Sequence, residues 1–254
     1  MKNLFNIHPL TYIILLSVLL AGYFNYFLII ITILLIHDLG HIIFLKIYKY
    51  KIYNILILPF GSIINSSVNS NSKTVEILII SLAGVCMQGL LYPVFFLLNK
   101  YYISDLSYNI FLNYNKYILL FNLLPIIPLD GSKILLTFFE SIFSYKKALW
   151  LLNVISIFII IIFIIFLTYQ GLNSYLIGLF LIYKTFEEIK NHKYIFNEFL
   201  LTRHLNKIKY YKVKYVKKIK NIFKNHYNFI NNQNEEKILK VYYNNSICKV
   251  FKNR

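Results

Sequence analysis

A chain of 254 residues, 58% of them hydrophobic and only 15% charged, lies outside the balance of a soluble domain, which carries roughly 25% charged and about 45–50% apolar residues. Two cysteines, Cys86 and Cys248, give no disulfide framework. The formal net charge of +17 does not by itself call for nucleic acid: Lys, Asn, Ile, Tyr and Phe are abundant together, as a genome-wide compositional bias makes them, and no nucleic-acid-binding fold signature accompanies the charge.

Leu10 to Leu45 is almost continuously apolar, too long for one bilayer crossing of about 20 residues and suited to two. It is also too long, and too closely followed by further apolar runs, for a cleavable leader. A break near Gly22–Tyr26 sets spans over 9–22 and 27–45, and a basic patch follows at Lys46, Lys49 and Lys51. Ile52 to Leu58 is β-prone and Pro59-Phe60-Gly61-Ser62 is a turn signal, so 52–72 reads as a membrane-associated β-hairpin or re-entrant loop. A span over 74–98 comes next, where Gly84, Gly89 and Pro93 suggest close packing and a kink.

Lys100 to Lys116 reads as a polar connector. The apolar stretch 117–130 is interrupted by Pro125 and Pro128, so a helix there must break, which membrane depth tolerates only where the backbone is protein-buried or lines a wet cavity. An amphipathic segment at about 132–147 leads into spans over 148–168 and 171–183. The expected fold class is an all-α polytopic membrane protein of about six transmembrane helices, with a membrane core over 1–183 and a basic tail over 184–254.

Charge placement orients this topology. With a cytoplasmic N-terminus and six alternating spans, 25 of the 27 Lys and Arg face the cytoplasm, leaving Lys100 and Lys116 on the far side; without the tail the split is eight against two. The positive-inside rule generates such a split, whereas a uniform compositional bias does not. Both termini are therefore expected in the cytoplasm. The tail carries 17 basic and 5 acidic residues and is helical over Tyr183 to Leu205. It is expected to rest on anionic lipid headgroups, with a substrate-docking or regulatory module as the sharper reading.

Ionisable groups at membrane depth cost at least about 2.5–3.5 kcal/mol each, so they need partners and usually mark function. Nearly all those within the expected spans fall in two motifs, His37-Asp38-Leu39-Gly40-His41 and Asn122-Leu123-Leu124-Pro125-Ile126-Ile127-Pro128-Leu129-Asp130-Gly131. Two imidazoles at i and i+4 share a helix face and can bind one metal, and a carboxylate directly after the first His can reach a metal-bound water. Gly40 leaves room for another segment beside them. The second motif offers Asp130 from an unwound segment, with Gly131 permitting a sharp exit. His37, His41 and Asp130 leave a fourth position open, the pattern of a catalytic zinc. Nine residues, about 13–14 Å of helix, separate His37 from Lys46, which places the metal inside the hydrocarbon but nearer the cytoplasmic face.

Taken alone, the histidine pair is also compatible with haem ligation, a proton path or a hydrogen bond to a neighbouring helix. Asp38 and Asp130 could formally serve an aspartyl protease, which leaves two histidines unexplained. A metal or proton transporter calls for further polar residues on the other side of the site, and the sequence offers none.

The two motifs resemble those of the site-2 protease family of intramembrane zinc metalloproteases, most closely its stage IV sporulation branch, which processes a membrane-associated sigma-factor precursor. The family pattern is His-Glu-x-x-His in one transmembrane helix and an Asn-Pro-Asp-Gly-type motif in another, answered here by His37 to His41 and by Asn122 to Gly131. Leu58-Pro59-Phe60-Gly61 resembles the loop between them, and the likeness runs through about residues 10–205. It implies one Zn²⁺ per chain, Asp38 as general base, and Asn122 and Gly61 as substrate-binding positions. It also implies a membrane-associated protein substrate and an inhibitory membrane partner. The departure is Asp38, where the family has Glu. The alternative it raises is a zinc-binding pseudoprotease that sequesters a membrane partner.

Overall fold

The computed structural model describes residues 5–58, 61–167, 172–205, 210 and 212–252. Pro59 and Phe60 of the expected turn, and the boundaries expected at Thr168 and Gly171, lie outside the described residues. The chain is mostly helical, and the all-α expectation is amended, among the described residues, by six short strands in two small sheets.

Met1–Val68, Glu76–Leu124 and Leu129–Gly131 make one compact unit. It holds β1 (Phe5–Ile7), α1 (Pro9–Leu20), α2 (Phe24–Ile47), β2 (Ile52–Leu58), β3 (Gly61–Ser66), nearly all of α3 (Thr74–Tyr101), and α4 (Asp105–Asn122). Gly22 turns the chain between α1 and α2 at φ +75°, a conformation that glycine adopts without steric cost. Of the segment expected as a membrane-associated hairpin or re-entrant loop, the strand pairing is present, β2 running antiparallel to β3 from Ile52↔Ser66 to Leu58↔Gly61. Its other edge is covered by β1, parallel to β2 with Phe5 opposite Ile55, a long-range pairing of three residues that leaves no local signature.

The connector expected over Lys100 to Lys116 is instead mostly helix. Ser104 caps α4, its Oγ accepting from the Ser107 N–H at 3.3 Å, and Ile110, Phe111 and Asn115 form its buried side. Phe111 stacks on Phe95 at a centroid distance of 3.8 Å, and with Ile33 and Leu91 these side chains tie α2, α3 and α4 into one core. Beyond Asn122 the helix stops, and α5 (Asp130–Ile142) begins only at Asp130, so the stretch holding Pro125 and Pro128 is unwound. Proline removes the amide a continued helix needs and disfavours helical backbone in the residue before it.

Asn69–Val75, Pro125–Pro128 and Ser132–Arg254 make the second unit, with the rest of α5, α6 (Tyr145–Leu167), α7 (Leu172–Leu205), β4 (Val213–Val216), β5 (Tyr227–Ile230), β6 (Gln233–Asn234) and α8 (Glu235–Lys252). Two carbonyls freed in the unwound stretch are claimed here: Ser156 Oγ donates to Pro125 O at 3.1 Å and Thr185 Oγ1 to Ile127 O at 3.0 Å. Both hydroxyl residues are buried. One helix, α7, runs through Tyr183 and Lys184 without interruption, because the residues become charged there but none breaks a helix. Parallel β4 and β5 with antiparallel β6 close over a core of Tyr145, Leu149, Phe196, Phe199, Leu200, Ile222, Ile230 and Leu239.

Two buried ion pairs stitch the same unit together. Lys224 Nζ lies 2.9 Å from Glu140 Oε2. Arg203 binds Glu235 through Nη2 at 2.9 Å and donates to the carbonyls of Lys224 and His226, each at 2.8 Å. Each cation is thus paired with a carboxylate away from water, which compensates charges that would be costly in isolation.

Among the described residues three helices are long and apolar enough to cross a bilayer, Phe24–Ile47, Thr74–Tyr101 and, within α6, Tyr145–Ile165. The chain is thus an integral membrane protein by composition and element length. The 12 residues of α1 reach about 18 Å, short of a hydrocarbon core of about 30 Å.

Candidate metal centre

Helix α2 turns once between His37 and His41, so both rings leave the same face. Both are buried, at 4% and 8% exposure, and their Nε2 atoms stand 3.0 Å apart. Asp130, the first residue of α5 and itself 5% exposed, brings Oδ2 to 3.0 Å from each of those nitrogens. Three donor atoms from two sequence-distant motifs therefore form a triangle with 3.0 Å edges. Zinc with bonds of about 2.0–2.1 Å to such donors holds tetrahedral ligands roughly 3.3 Å apart, so the residues present fit that ion with a small outward adjustment.

The other ring nitrogens are engaged as well. His41 Nδ1 donates to the backbone carbonyl of Ile80 at 2.7 Å. His37 Nδ1 lies 3.0 Å from Gln88 Oε1, and Gln88 in turn donates from Nε2 to Asn115 Oδ1 at 3.3 Å. Such outer hydrogen bonds set which imidazole nitrogen is free to ligate. The expected site did not include Gln88 or Asn115. Their signal in the sequence is that each is an uncharged amide in a largely apolar helix, where a buried polar group demands a partner.

Close helix packing makes the room. At Gly40 an added Cβ would meet the Ala83 carbonyl oxygen at 2.6 Å, and at Gly84 it would meet His37 Cε1 and His41 Nε2 at 2.6 Å each. Both glycines are therefore required where α2 and α3 cross. Gly131 is equally confined, an added Cβ falling 2.1 Å from the Leu123 carbonyl oxygen, so the sharp exit after Asp130 leaves no space for a side chain.

Asp38 leaves α2 about 100° around from His37. It is partly buried, and His37, Asp38 and His41 each place a ligand atom within 4.8 Å of the other two. The Ser62 hydroxyl on β3 is buried and makes no hydrogen bond among the described residues. Gly61, one residue earlier, opens β3 opposite Leu58 with φ +139°. Asn122 is the last residue of α4 and is partly buried.

Fold and site thus define an integral membrane protein, mostly helical, with a buried cluster of two histidines and carboxylates drawn from two helices. Comparison with known proteins sharpens this. The Stage IV sporulation protein FB of Bacillus subtilis (strain 168) is 30% identical over 206 residues, spanning 80% of this chain and 72% of that protein. The site-2 protease from Methanocaldococcus jannaschii shares the fold, with a TM-score of 0.58 and 23% identity over 72% of this chain and 89% of that one. No family model matches the sequence. The chain belongs to the site-2 protease family, in its sporulation branch.

Proposed function

We propose that this protein is an intramembrane zinc metalloprotease that hydrolyses a peptide bond in or beside the membrane segment of a protein substrate. The reading is carried by the 3.0 Å triangle of His37 Nε2, His41 Nε2 and Asp130 Oδ2, three donors that would hold one Zn²⁺. When bound, the ion supplies a Lewis acid that makes a water nucleophilic near neutral pH and polarises the scissile carbonyl. His37 and His41 remain neutral donors, their Nδ1 protons held by Gln88 and Ile80. Asp38 takes the proton of the attacking water on its carboxylate and returns it to the leaving amine nitrogen.

Aspartate is one methylene shorter than the glutamate usual in the family. A misplacement of about 1 Å can cost on the order of a hundredfold in rate. The closeness of Asp38 to both histidines, within 4.8 Å, favours a base that still reaches a water between them. The same shortening is the observation behind the second reading, a zinc-binding pseudoprotease that sequesters a membrane partner.

Substrate enters this reading as an extended strand. β1 occupies one edge of the first sheet and β3 offers the other, where backbone pairing can add a strand; Gly61 at the start of β3 and Asn122 at the end of α4 are the substrate-binding positions. Six crossings would call on α1, the end of α4 and the first half of α7 beside the three long apolar helices, with the bilayer thinned around α1, whose 12 residues fall short of the full hydrocarbon core. Both termini face the cytoplasm, with the site nearer that side, and the basic tail meets anionic lipid. The family resemblance of the two motifs adds a membrane-tethered sigma-factor precursor as the substrate and an inhibitory membrane partner that holds the protease in check.

The test is cleavage of a co-expressed, membrane-tethered precursor by wild type, Asp38→Glu, Asp38→Asn and His41→Ala. Cleavage by wild type that is lost in Asp38→Asn and His41→Ala supports the protease. Silence in wild type with recovery in Asp38→Glu supports the pseudoprotease.

A further inference from the structure

We propose that Gln88 and Asn115 are positioning residues: together they lock His37 in the tautomer that carries its proton on Nδ1, and so keep Nε2 open to the metal. The inference rests on the zinc reading above and adds to it a pair of side chains on α3 and α4 that touch neither metal nor substrate.

The polarity of this chain of contacts is fixed at one end by the Gln88 backbone carbonyl. A backbone carbonyl can only accept, so Asn115, placed 3.2 Å from the Gln88 carbonyl oxygen, must turn Nδ2 toward it. Its Oδ1 then faces Gln88 and accepts from Gln88 Nε2 at 3.3 Å. That leaves Gln88 Oε1, an acceptor only, 3.0 Å from His37 Nδ1. A neutral imidazole has one N–H, and here it must sit on Nδ1. Nε2 consequently presents a lone pair toward His41 and Asp130, where the donor triangle lies.

Rotating the Gln88 amide by half a turn would reverse all of this. Its NH₂ would face Nδ1, the ring proton would move to Nε2, and His37 would point an N–H at the metal position. The barrier against that rotation is Asn115, since a rotated Gln88 would set oxygen against oxygen. Gln88 and Asn115 are both 0% exposed, so no water substitutes for either contact, and an unpaired amide there is costly. His41 needs no such device because its Nδ1 meets a main-chain carbonyl directly, that of Ile80. Each ligand histidine thus traces its tautomer to a backbone carbonyl, His41 in one step and His37 through two amides.

The experiment measures Co²⁺ affinity of the purified full-length protein in detergent by chelator competition, read from the ion's visible absorption. Helix content and size-exclusion profile certify that each variant is folded. Gln88→Leu should bind about 10–100-fold more weakly, the usual cost of losing an outer-shell partner, and Asn115→Leu should also weaken binding. Gln88→Glu keeps an acceptor toward His37 Nδ1 whichever way it turns, but sets a carboxylate oxygen against Asn115 Oδ1, so it should bind more weakly than wild type yet more tightly than Gln88→Leu. The diagnostic variant is the double one: Asn115→Leu should cost little in a Gln88→Glu background. Equal losses from Asn115→Leu in both backgrounds would assign these residues to packing and overturn the relay, as would wild-type affinity in Gln88→Leu. If wild type takes up no Co²⁺ while folded, the metal reading itself fails, an outcome distinct from a metal-binding protein indifferent to Gln88.

Discussion

Gly84 and His41 are so close that a methyl group on the glycine would sit 2.6 Å from the imidazole Nε2, well inside van der Waals contact. The same methyl would press on His37, so the crossing of α2 and α3 and the histidine pair share one space. Gly84→Ala is therefore expected to abolish metal uptake, by forcing either the rings or the helices apart. The accompanying loss of stability should be about 1–3 kcal/mol, the usual cost of overpacking. Metal content per chain and thermal unfolding, measured on the same preparation, check both parts.

Asp38 is expected to separate binding from turnover. In Asp38→Asn the three proposed ligands are untouched, so metal content should match wild type while cleavage of a tethered precursor falls by about a hundredfold or more, as loss of a general base implies. A parallel loss of metal would show Asp38 to be a ligand instead.

Removing the metal should loosen the fold. A chelator strips an ion whose donors come from α2 and α5, and a ligand present at a hundred times its dissociation constant contributes about 2.7 kcal/mol. The unfolding temperature should drop on chelation and recover on adding Zn²⁺, whereas His41→Ala should give the lower value with or without the ion.

Ser156→Ala and Thr185→Val each orphan a carbonyl of the unwound stretch, at Pro125 and Ile127 respectively. Each should destabilise by about 1–3 kcal/mol, the penalty for a buried acceptor left unpaired. Ser156→Thr and Thr185→Ser, which keep the hydroxyl, should lose much less in a thermal unfolding series.

The buried pair of Glu140 and Lys224 should show the asymmetry of charges away from water. Lys224→Met alone leaves the carboxylate stranded and should cost about 3–5 kcal/mol, while Glu140→Leu with Lys224→Met should recover most of it. A double-mutant cycle by thermal unfolding decides.

What the sequence disclosed, and what it hid, follows from the range of the forces involved. The His37–His41 spacing and the isolation of Asp130 in a proline-rich stretch are local facts, and the geometry joins those three residues. The break between α1 and α2 is legible through Gly22, and the pairing of β2 with β3 through the β-prone run Ile52–Leu58. The start of α4 was not, because its exposed Tyr, Asn and Lys masked an inward side of Ile110, Phe111 and Asn115, although Ser104 followed by Asp105 is a helix-start signal. β1 depends on a partner some fifty residues away. Gln88 and Asn115 carry no charge to mark them at membrane depth, and the importance of a neutral amide depends entirely on what it faces.

Helix α7 has a mechanical consequence. From Thr185, bonded to the Ile127 carbonyl, to Arg203, bonded to Glu235, it runs without a proline or glycine, a stiff rod of about 27 Å. A twist applied to the Arg203 end has no joint in which to dissipate. The Arg203–Glu235 clamp and the Thr185–Ile127 bond are therefore held at a fixed separation along one rod.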